Sequence, residues 1–184
     1  MTKGRHEYGI EFEPRLRIGN RMLIKYSLKE KSIFNEEGYV DVDSVQNIIF
    51  GRRDVLNMTN NFFISYIITP NMNLQLEARH YWSRGKYSSY HVLQNDGTLA
   101  ANNYNYNSSA DFNFNAVNID FGFTWQFLPG SEMSVVYKNS ILGLSNELKY
   151  NFGDDINQTL NLPQTNSLSI KILYYLDSEK LKKK

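Results

Sequence analysis

Apolar and polar residues alternate with a period of two along most of this chain. From Val117 to Phe127 every second residue is apolar, and the residues between them are Asn, Asp, Gly, Thr and Gln. Because successive side chains of a β-strand point to opposite faces, this stretch predicts a strand with one apolar and one polar face. Six other segments repeat the pattern, at residues 7–13, 22–29, 56–68, 74–83, 133–138 and 167–176. The chain is therefore predicted to be all-β.

The connections between these segments alternate in length. Tight turns rich in Gly, Asn and Pro are predicted at residues 18–21, 70–73 and 128–132. Long polar stretches lie between them, at residues 30–54, 84–111 and 140–165. The alternation predicts an antiparallel meander with turns at one rim and loops at the other.

Two architectures fit such strands. In a soluble sandwich or barrel the apolar faces form a core, whereas in an outer-membrane barrel they meet lipid and the polar faces line the lumen. Several segments extend over about 10 residues, whereas ordinary strands average about 5–6 and bilayer-crossing strands need about 9–11. With the short turns and long loops, this favours an antiparallel transmembrane β-barrel meander of about seven strands. The alternative is a soluble ligand-binding β-barrel or sandwich of the carbohydrate-binding type.

The predicted number of strands is odd. Single-chain bacterial barrels have an even number of strands, and an open edge in lipid leaves amides unpaired at a cost of several kcal/mol each. Residues Met1 to His6 lack the apolar segment of a secretory signal. We therefore predict that residues 1–177 are the C-terminal portion of a larger barrel, completed by further strands or another outer-membrane chain. Residues 178–184 are predicted to form a charged tail.

Composition and charge narrow the functional classes. The chain has 20 Lys and Arg against 19 Asp and Glu, so we expect no nucleic-acid partner, because such binding needs a basic face. The absence of Cys excludes disulfides and thiolate chemistry. Aromatic residues make up 14% of the chain and are predicted to form the two belts of a membrane barrel. The belts comprise Tyr66, Trp125, Phe127 and Tyr174 at the turn rim, and Tyr8 and Trp82 at the loop rim.

Charged residues on the polar phase are the candidate lumen residues. They are Lys25, Glu77, Arg79, Asp120, Lys138 and Lys171. Such residues can set the selectivity of a pore. The alternative, favoured by their mixed sign, is a network of mutually neutralising charges that fills a small lumen.

A tyrosine-rich polar segment is the candidate glycan-contact site. Residues 85–110 contain Tyr87, Tyr90, Tyr104 and Tyr106 among several Asn residues. Aromatic faces beside amide donors suit sugar rings. The alternative is an external loop that packs on itself.

No catalytic, metal or cofactor site is predicted. His6, His80 and His91 show no metal-ligand spacing. Ser83 and His80 are close in sequence, but strand parity places them on opposite faces, which argues against a hydrolase built on a Ser–His pair. His80 lies in the lipid-facing phase near the loop rim and is predicted to be an interface residue.

A four-residue recurrence interrupts the strand pattern. Leu144, Leu148, Phe152, Ile156 and Leu160 follow one another at this spacing. The spacing fits a short amphipathic helix at the barrel mouth that ends before Pro163, whereas Gly153 and several Asn residues fit a loop.

Several strings resemble a known family. Residues 50–54 (FGRRD), 111–115 (DFNFN), 128–131 (LPGS) and 166–176 resemble the C-terminal barrel region of a Bacteroidetes outer-membrane family. Members of that family join an N-terminal carbohydrate-binding-type module, family nine-like, to a large β-barrel domain. The resemblance implies an outer-membrane location, the lipid bilayer as partner and no catalytic residues. The predicted function is therefore a structural, anchoring or channel role in the bacterial outer membrane.

Overall fold

The computed structural model describes residues 4–100 and 103–176, and they form one antiparallel sheet. Its strands are β1 (His6–Phe12), β2 (Arg15–Ile18), β3 (Met22–Val42), β4 (Ile48–Thr69), β5 (Met72–Val92), β6 (Phe112–Leu128), β7 (Ser131–Ser145) and β8 (Gln164–Leu173). One helix, α1 (Phe152–Leu160), precedes β8. From β3 onward, strands adjacent in sequence are adjacent in space. The all-β class and the antiparallel meander order are confirmed.

The first predicted strand, residues 7–13, corresponds to β1, and a further short strand, β2, follows it. Both β1 and β2 pair with β3, so together they form one interrupted edge strand. Pro14 lies at the interruption, where an edge position tolerates the missing N–H. The Pro14 carbonyl still accepts a hydrogen bond from the backbone N–H of Tyr26 at 3.1 Å. This interruption accounts for eight observed strands where about seven were predicted.

The strands are longer at the loop rim than the alternation indicates. Much of the polar stretches 30–54 and 84–111, predicted as loops, is paired backbone, and β3 and β4 are joined only through residues 43–47. In this region apolar residues such as Ile49 and Phe50 occupy successive positions, and hence opposite faces, among polar residues, so the period-two pattern disappears although the ladder continues. Cross-strand ion pairs lie beside the apolar contacts there: Arg52 Nη2 lies 2.5 Å from Glu37 Oε1, and Arg53 Nε lies 2.9 Å from Glu36 Oε2.

The described sheet is open and consists of a single layer. One edge is β1 with β2, the other is β8, and no described residues pair these two edges. Few large apolar side chains in the described ranges are fully buried; they are Ile33, Ile49, Val55, Trp82, Val117 and Ile141. Within those ranges no helix is long and apolar enough to span a bilayer. The predicted tail, 178–184, lies outside the described residues.

The four-residue recurrence predicts α1 in part. The helix begins after Asn151, whose side-chain Oδ1 accepts hydrogen bonds from the N–H groups of Gly153 and Asp154. This N-cap satisfies two of the first amides of the helix. Leu144, at the start of the recurrence, lies instead in β7. The helix therefore covers only the second half of the recurrence.

Aromatic rings lie over two glycines in the middle of the sheet. The Phe112 ring covers Gly85, and a Cβ built at Gly85 would overlap it; the Tyr87 ring covers Gly51 in the same way. Gly122, in the neighbouring strand, has open space where a Cβ would point. Gly85 is therefore fixed by close aromatic packing, whereas Gly122 is free to accept a side chain.

We expect Gly85→Ala to lower the free energy of unfolding by about 1–3 kcal/mol, because the added methyl displaces the Phe112 ring. Gly122→Ala, the matched control in the next strand, should change stability by less than about 1 kcal/mol. Urea unfolding of both variants in the same detergent, followed by tryptophan fluorescence, measures the difference. Equal midpoints for the two variants would show that the ring over Gly85 moves aside without cost.

Candidate membrane-facing surface and polar face

One face of the sheet is apolar over its turn-rim half. Register places Ile24, Ile64, Leu76, Phe121, Tyr137 and Leu168 side by side in one row across six strands. We call the apolar residues of this face the apolar band. Its members on β3 to β8 are Met22, Ile24, Tyr26, Leu28, Phe62, Ile64, Tyr66, Met72, Leu74, Leu76, Ala78, Val117, Ile119, Phe121, Phe123, Trp125, Met133, Val135, Tyr137, Leu168, Ile170 and Ile172.

The apolar band has no second layer over it among the described residues. Phe121, in the middle of the sheet, keeps 38% of its surface exposed, and Ile170, on the edge strand β8, keeps 62%. On β6 the band runs from Val117 to Trp125, about 27 Å along the strand. Contiguous exposed apolar surface of this size marks an interaction with another protein or with a membrane.

Above the apolar band the same face becomes polar. Asn60 and His80 follow the band on β4 and β5, and Asn115, Asn139 and Asn166 follow it on β6, β7 and β8. These five residues lie in three successive cross-strand rows, and apolar residues (Met58, Trp82 and Ile141) reappear beyond them on the same face. They therefore mark the upper edge of the continuous apolar surface.

His80 and Trp82 are not lipid-facing residues, and the prediction that placed them in that position was wrong. Both are buried beneath α1, with only 2% of Trp82 exposed. The Phe152 ring packs on the His80 ring at 5.6 Å and on the Trp82 ring at 6.1 Å between centroids. The two side chains lie on the predicted face of β5, but α1 covers this part of the face.

A buried set of polar side chains holds α1 on the sheet. Trp82 Nε1 donates to Asn113 Oδ1 at 2.6 Å, and Asn113 Nδ2 donates to Asp155 Oδ1 at 2.6 Å. His80 Nε2 lies 2.9 Å from Asn115 Oδ1. We call these five residues the helix clasp. The alternation of Phe and Asn in residues 111–115 was the signal in the sequence that β6 begins there.

The opposite face carries most of the predicted lumen charges as one network. Glu77, Asp120 and Lys138 are neighbours across β5, β6 and β7. Arg79 Nη2 lies 2.5 Å from Asp120 Oδ2, and Lys138 Nζ lies 4.0 Å from Asp120 Oδ1. Because these side chains are partly exposed, each pair contributes only about 0.2–1 kcal/mol. The arrangement fits mutual neutralisation better than a field of one sign.

Two of the predicted lumen charges lie apart from this network. Lys25 Nζ lies over the Phe63 ring, 5.4 Å from its centroid, and Phe63 separates it from Glu77 in the same row. Lys171 is opposite Ser134 on the exposed edge strand β8. Both share the polar face with the network, so the parity of all six charges was predicted correctly.

The four candidate glycan-contact tyrosines lie near one another at the loop rim. The rings of Tyr87 and Tyr90 stack at 5.6 Å, and Tyr106 lies 4.9 Å from Tyr90. Their hydroxyls are used internally: Tyr104 donates to Asp43 at 2.9 Å and Tyr106 to Asp41 at 3.1 Å. The cluster thus joins the loop after β5 to the loop after β3. Glycan contact stays a prediction.

Asp43 is the centre of this loop contact. Its carboxylate accepts hydrogen bonds from the N–H groups of Val45 and Asn47, from Asn47 Nδ2 and from the Tyr104 hydroxyl. Desolvation raises the pKa of Asp43, but these hydrogen bonds outweigh it, so the pKa lies below its ordinary value. The hydrogen bond to Asp43 in turn raises the pKa of Tyr104.

Ser83 and His80 have separate partners. Ser83 Oγ donates to Asn57 Oδ1 at 2.7 Å on the polar face, whereas His80 belongs to the helix clasp on the other face. The two side chains are therefore not arranged as a nucleophile and its base.

Comparison with known proteins gives one family. A family described as a domain of unknown function, DUF5916, matches residues 1–184. No curated protein and no solved structure matches the chain.

We expect Asp43→Asn to loosen the loop after β5, because the neutral amide is a weaker acceptor for the Tyr104 hydroxyl and the Val45 amide. Asp96→Asn is the matched control, since Asp96 accepts hydrogen bonds only from Thr98 within its own turn. Chymotrypsin cleavage at Tyr104 and Tyr106 should accelerate several-fold in the first variant and remain at the wild-type rate in the second.

The same contact predicts a pH dependence. The pKa of Asp43 is lower in the folded protein than in the unfolded chain. The stability that Asp43 gives to the loop contact is therefore present above about pH 4 and is lost as the pH falls through the lowered pKa. Cleavage of the wild-type loop by an acid-active protease should therefore rise below that pH, and cleavage of Asp43→Asn should not. A parallel rise in both proteins would contradict the assignment.

Proposed function

The chain belongs to the DUF5916 family, and we propose that its sheet is a segment of an outer-membrane β-barrel with a structural, anchoring or channel role. The apolar band faces the hydrocarbon, and the polar face lines the interior. The turn rim lies on the periplasmic side and the longer loops lie outside. The role is non-catalytic, and the location is the bacterial outer membrane.

The apolar band is the observation that carries this proposal. It extends across β3 to β8, gives way to polar residues toward the loop rim and leaves Phe121 exposed in the middle of the sheet. On β6 it occupies about the 9–11 residues that a tilted strand needs to cross a bilayer. Ion pairs across β3 and β4 in the loop-rim half, Arg52 with Glu37 and Arg53 with Glu36, fit strands that continue into water beyond the membrane.

The soluble alternative requires a second layer over the apolar band. In a sandwich, residues such as Phe121 and Phe123 pack against a facing sheet about 10 Å away. Among the described residues, the only element on that face is α1, and it contacts polar positions above the band. A soluble protein would therefore need another domain or chain to cover this surface.

The directions of the two edge strands support a larger barrel. β1 and β2 run toward the turn that precedes β3, and β8, antiparallel to β7, runs in the same direction. Two edges that run in parallel cannot close an antiparallel ladder directly. Closure requires an odd number of further strands, and a second copy in the same membrane orientation does not supply an antiparallel neighbour. The partner is the rest of a larger barrel, or a different outer-membrane chain.

Flotation with vesicles tests membrane insertion. Membrane vesicles from cells that express the protein should carry it upward in a density gradient, and the protein should resist extraction by carbonate. A monodisperse monomer that remains at the bottom of the gradient without detergent would overturn the proposal in favour of the soluble alternative.

The orientation of the sheet is tested by two adjacent positions. The chain has no Cys, so Phe121→Cys and Gly122→Cys each give one labelling site, on opposite faces of β6. An environment-sensitive fluorophore at 121 should be quenched several-fold more strongly by acyl-chain-brominated lipid than the same fluorophore at 122. Gly122 has room for a side chain, which makes it a suitable control. Stronger quenching at 122 would mean that the polar face meets lipid, contrary to the proposal.

A further inference from the structure

Helix α1 is docked with polar residues inward. Its two buried residues are Asp155, 1% exposed, and Thr159, 3% exposed. Its large apolar residues lie further out: Phe152 keeps 42% and Leu160 44% of its surface exposed. A helix at the surface of a soluble protein buries its apolar stripe and exposes its carboxylates, so this arrangement is the reverse of the usual one.

The apolar stripe of α1 is turned toward the apolar band. Successive residues of a helix are rotated by about 100°, so Phe152, Ile156 and Leu160 form one flank beside the buried pair, and Gln158 lies on the other flank. Asp155 is bound to Asn113, which lies two cross-strand rows above His80 on this face, whereas Phe152 packs on His80. The flank that carries Phe152 therefore lies nearer the apolar band.

The helix runs across the strands, in the plane of the proposed membrane. Phe152, at its start, contacts His80 and Trp82 on β5, whereas Leu162, just after its end, lies against Gly143 on β7. Two strand spacings amount to about 10 Å, which agrees with a nine-residue helix about 13 Å long.

The contacts of α1 nearest the apolar band lie at the height of the headgroup layer. His80 is paired with Val117, the last band residue of β6, and Asn113 lies four residues above Val117. The contacts of α1 thus begin at the band boundary and end within about 13 Å of it along the strand. A headgroup layer is about 5–8 Å thick, and interfacial helices bury their apolar face about 5–10 Å deep at the headgroup and acyl boundary.

We infer that α1 is an interfacial helix that contacts the outer leaflet of the bilayer through Phe152, Ile156 and Leu160. The helix clasp holds its polar stripe on the sheet, so that the apolar stripe is presented to lipid and not to the sheet. The inference rests on the proposed membrane barrel, because the apolar band defines where the hydrocarbon ends.

The test uses single-Cys variants carrying the same fluorophore in phosphatidylcholine vesicles. Leu160→Cys reports the stripe, Asn157→Cys the exposed far side of the helix, and Phe121→Cys the apolar band. A nitroxide on the lipid headgroup should quench the label at 160 about threefold more strongly than the label at 157. A nitroxide deep in the acyl chain should quench the label at 121 most strongly.

The outcomes separate the two proposals. Equal, weak quenching at 160 and 157 together with strong deep quenching at 121 overturns the interfacial helix and leaves the membrane barrel intact. Absence of quenching at 121 overturns the barrel, and the interfacial helix with it. Strong headgroup quenching at 160 but not at 157, with the label at 121 quenched from the acyl chain, supports both.

Discussion

Backbone pairing between long antiparallel strands is the constraint on which this structure depends. A single-layer sheet has no shared core, and many of its large apolar side chains stay more than one third exposed. The ladder therefore has to hold the strands in place, and it extends well beyond the apolar band, to Val42 on β3 and Val92 on β5. In a bilayer the same pairing is also obligatory, because lipid offers unpaired amides no partner.

The sequence predicts the turn-rim half of this sheet well, for a physical reason. There one face is apolar and the other polar, so the side-chain period is visible in the composition, as in Val117–Phe127. In the loop-rim half polar and apolar residues no longer alternate, and Glu36 and Glu37 are matched by Arg53 and Arg52 across the ladder. Such pairing is non-local and has no periodic signature, which is why paired backbone there was predicted as loop.

The candidate sites, too, were predictable from the sequence only in part. The parity of Glu77, Asp120 and Lys138 follows from position along a strand, so their common face was predictable, whereas their ion pairs required the register. His80 and Trp82 have the predicted parity too, but they are covered by a helix that lies about 70 residues further along the chain. The position of a residue along a strand predicts the face on which its side chain lies, but only the tertiary structure determines what covers that face.

The upper boundary of the apolar band explains both the helix clasp and the unusual orientation of α1. Burying the Asp155 carboxylate is costly unless it is hydrogen-bonded, and Asn113, above the band, provides a donor to one of its two oxygens. Below this level the face of the sheet is mostly apolar and offers a carboxylate few donors. A helix that crosses the strands at this level therefore binds the sheet through its polar stripe. Its apolar stripe then lies on the side toward the apolar band and toward the medium that surrounds the band.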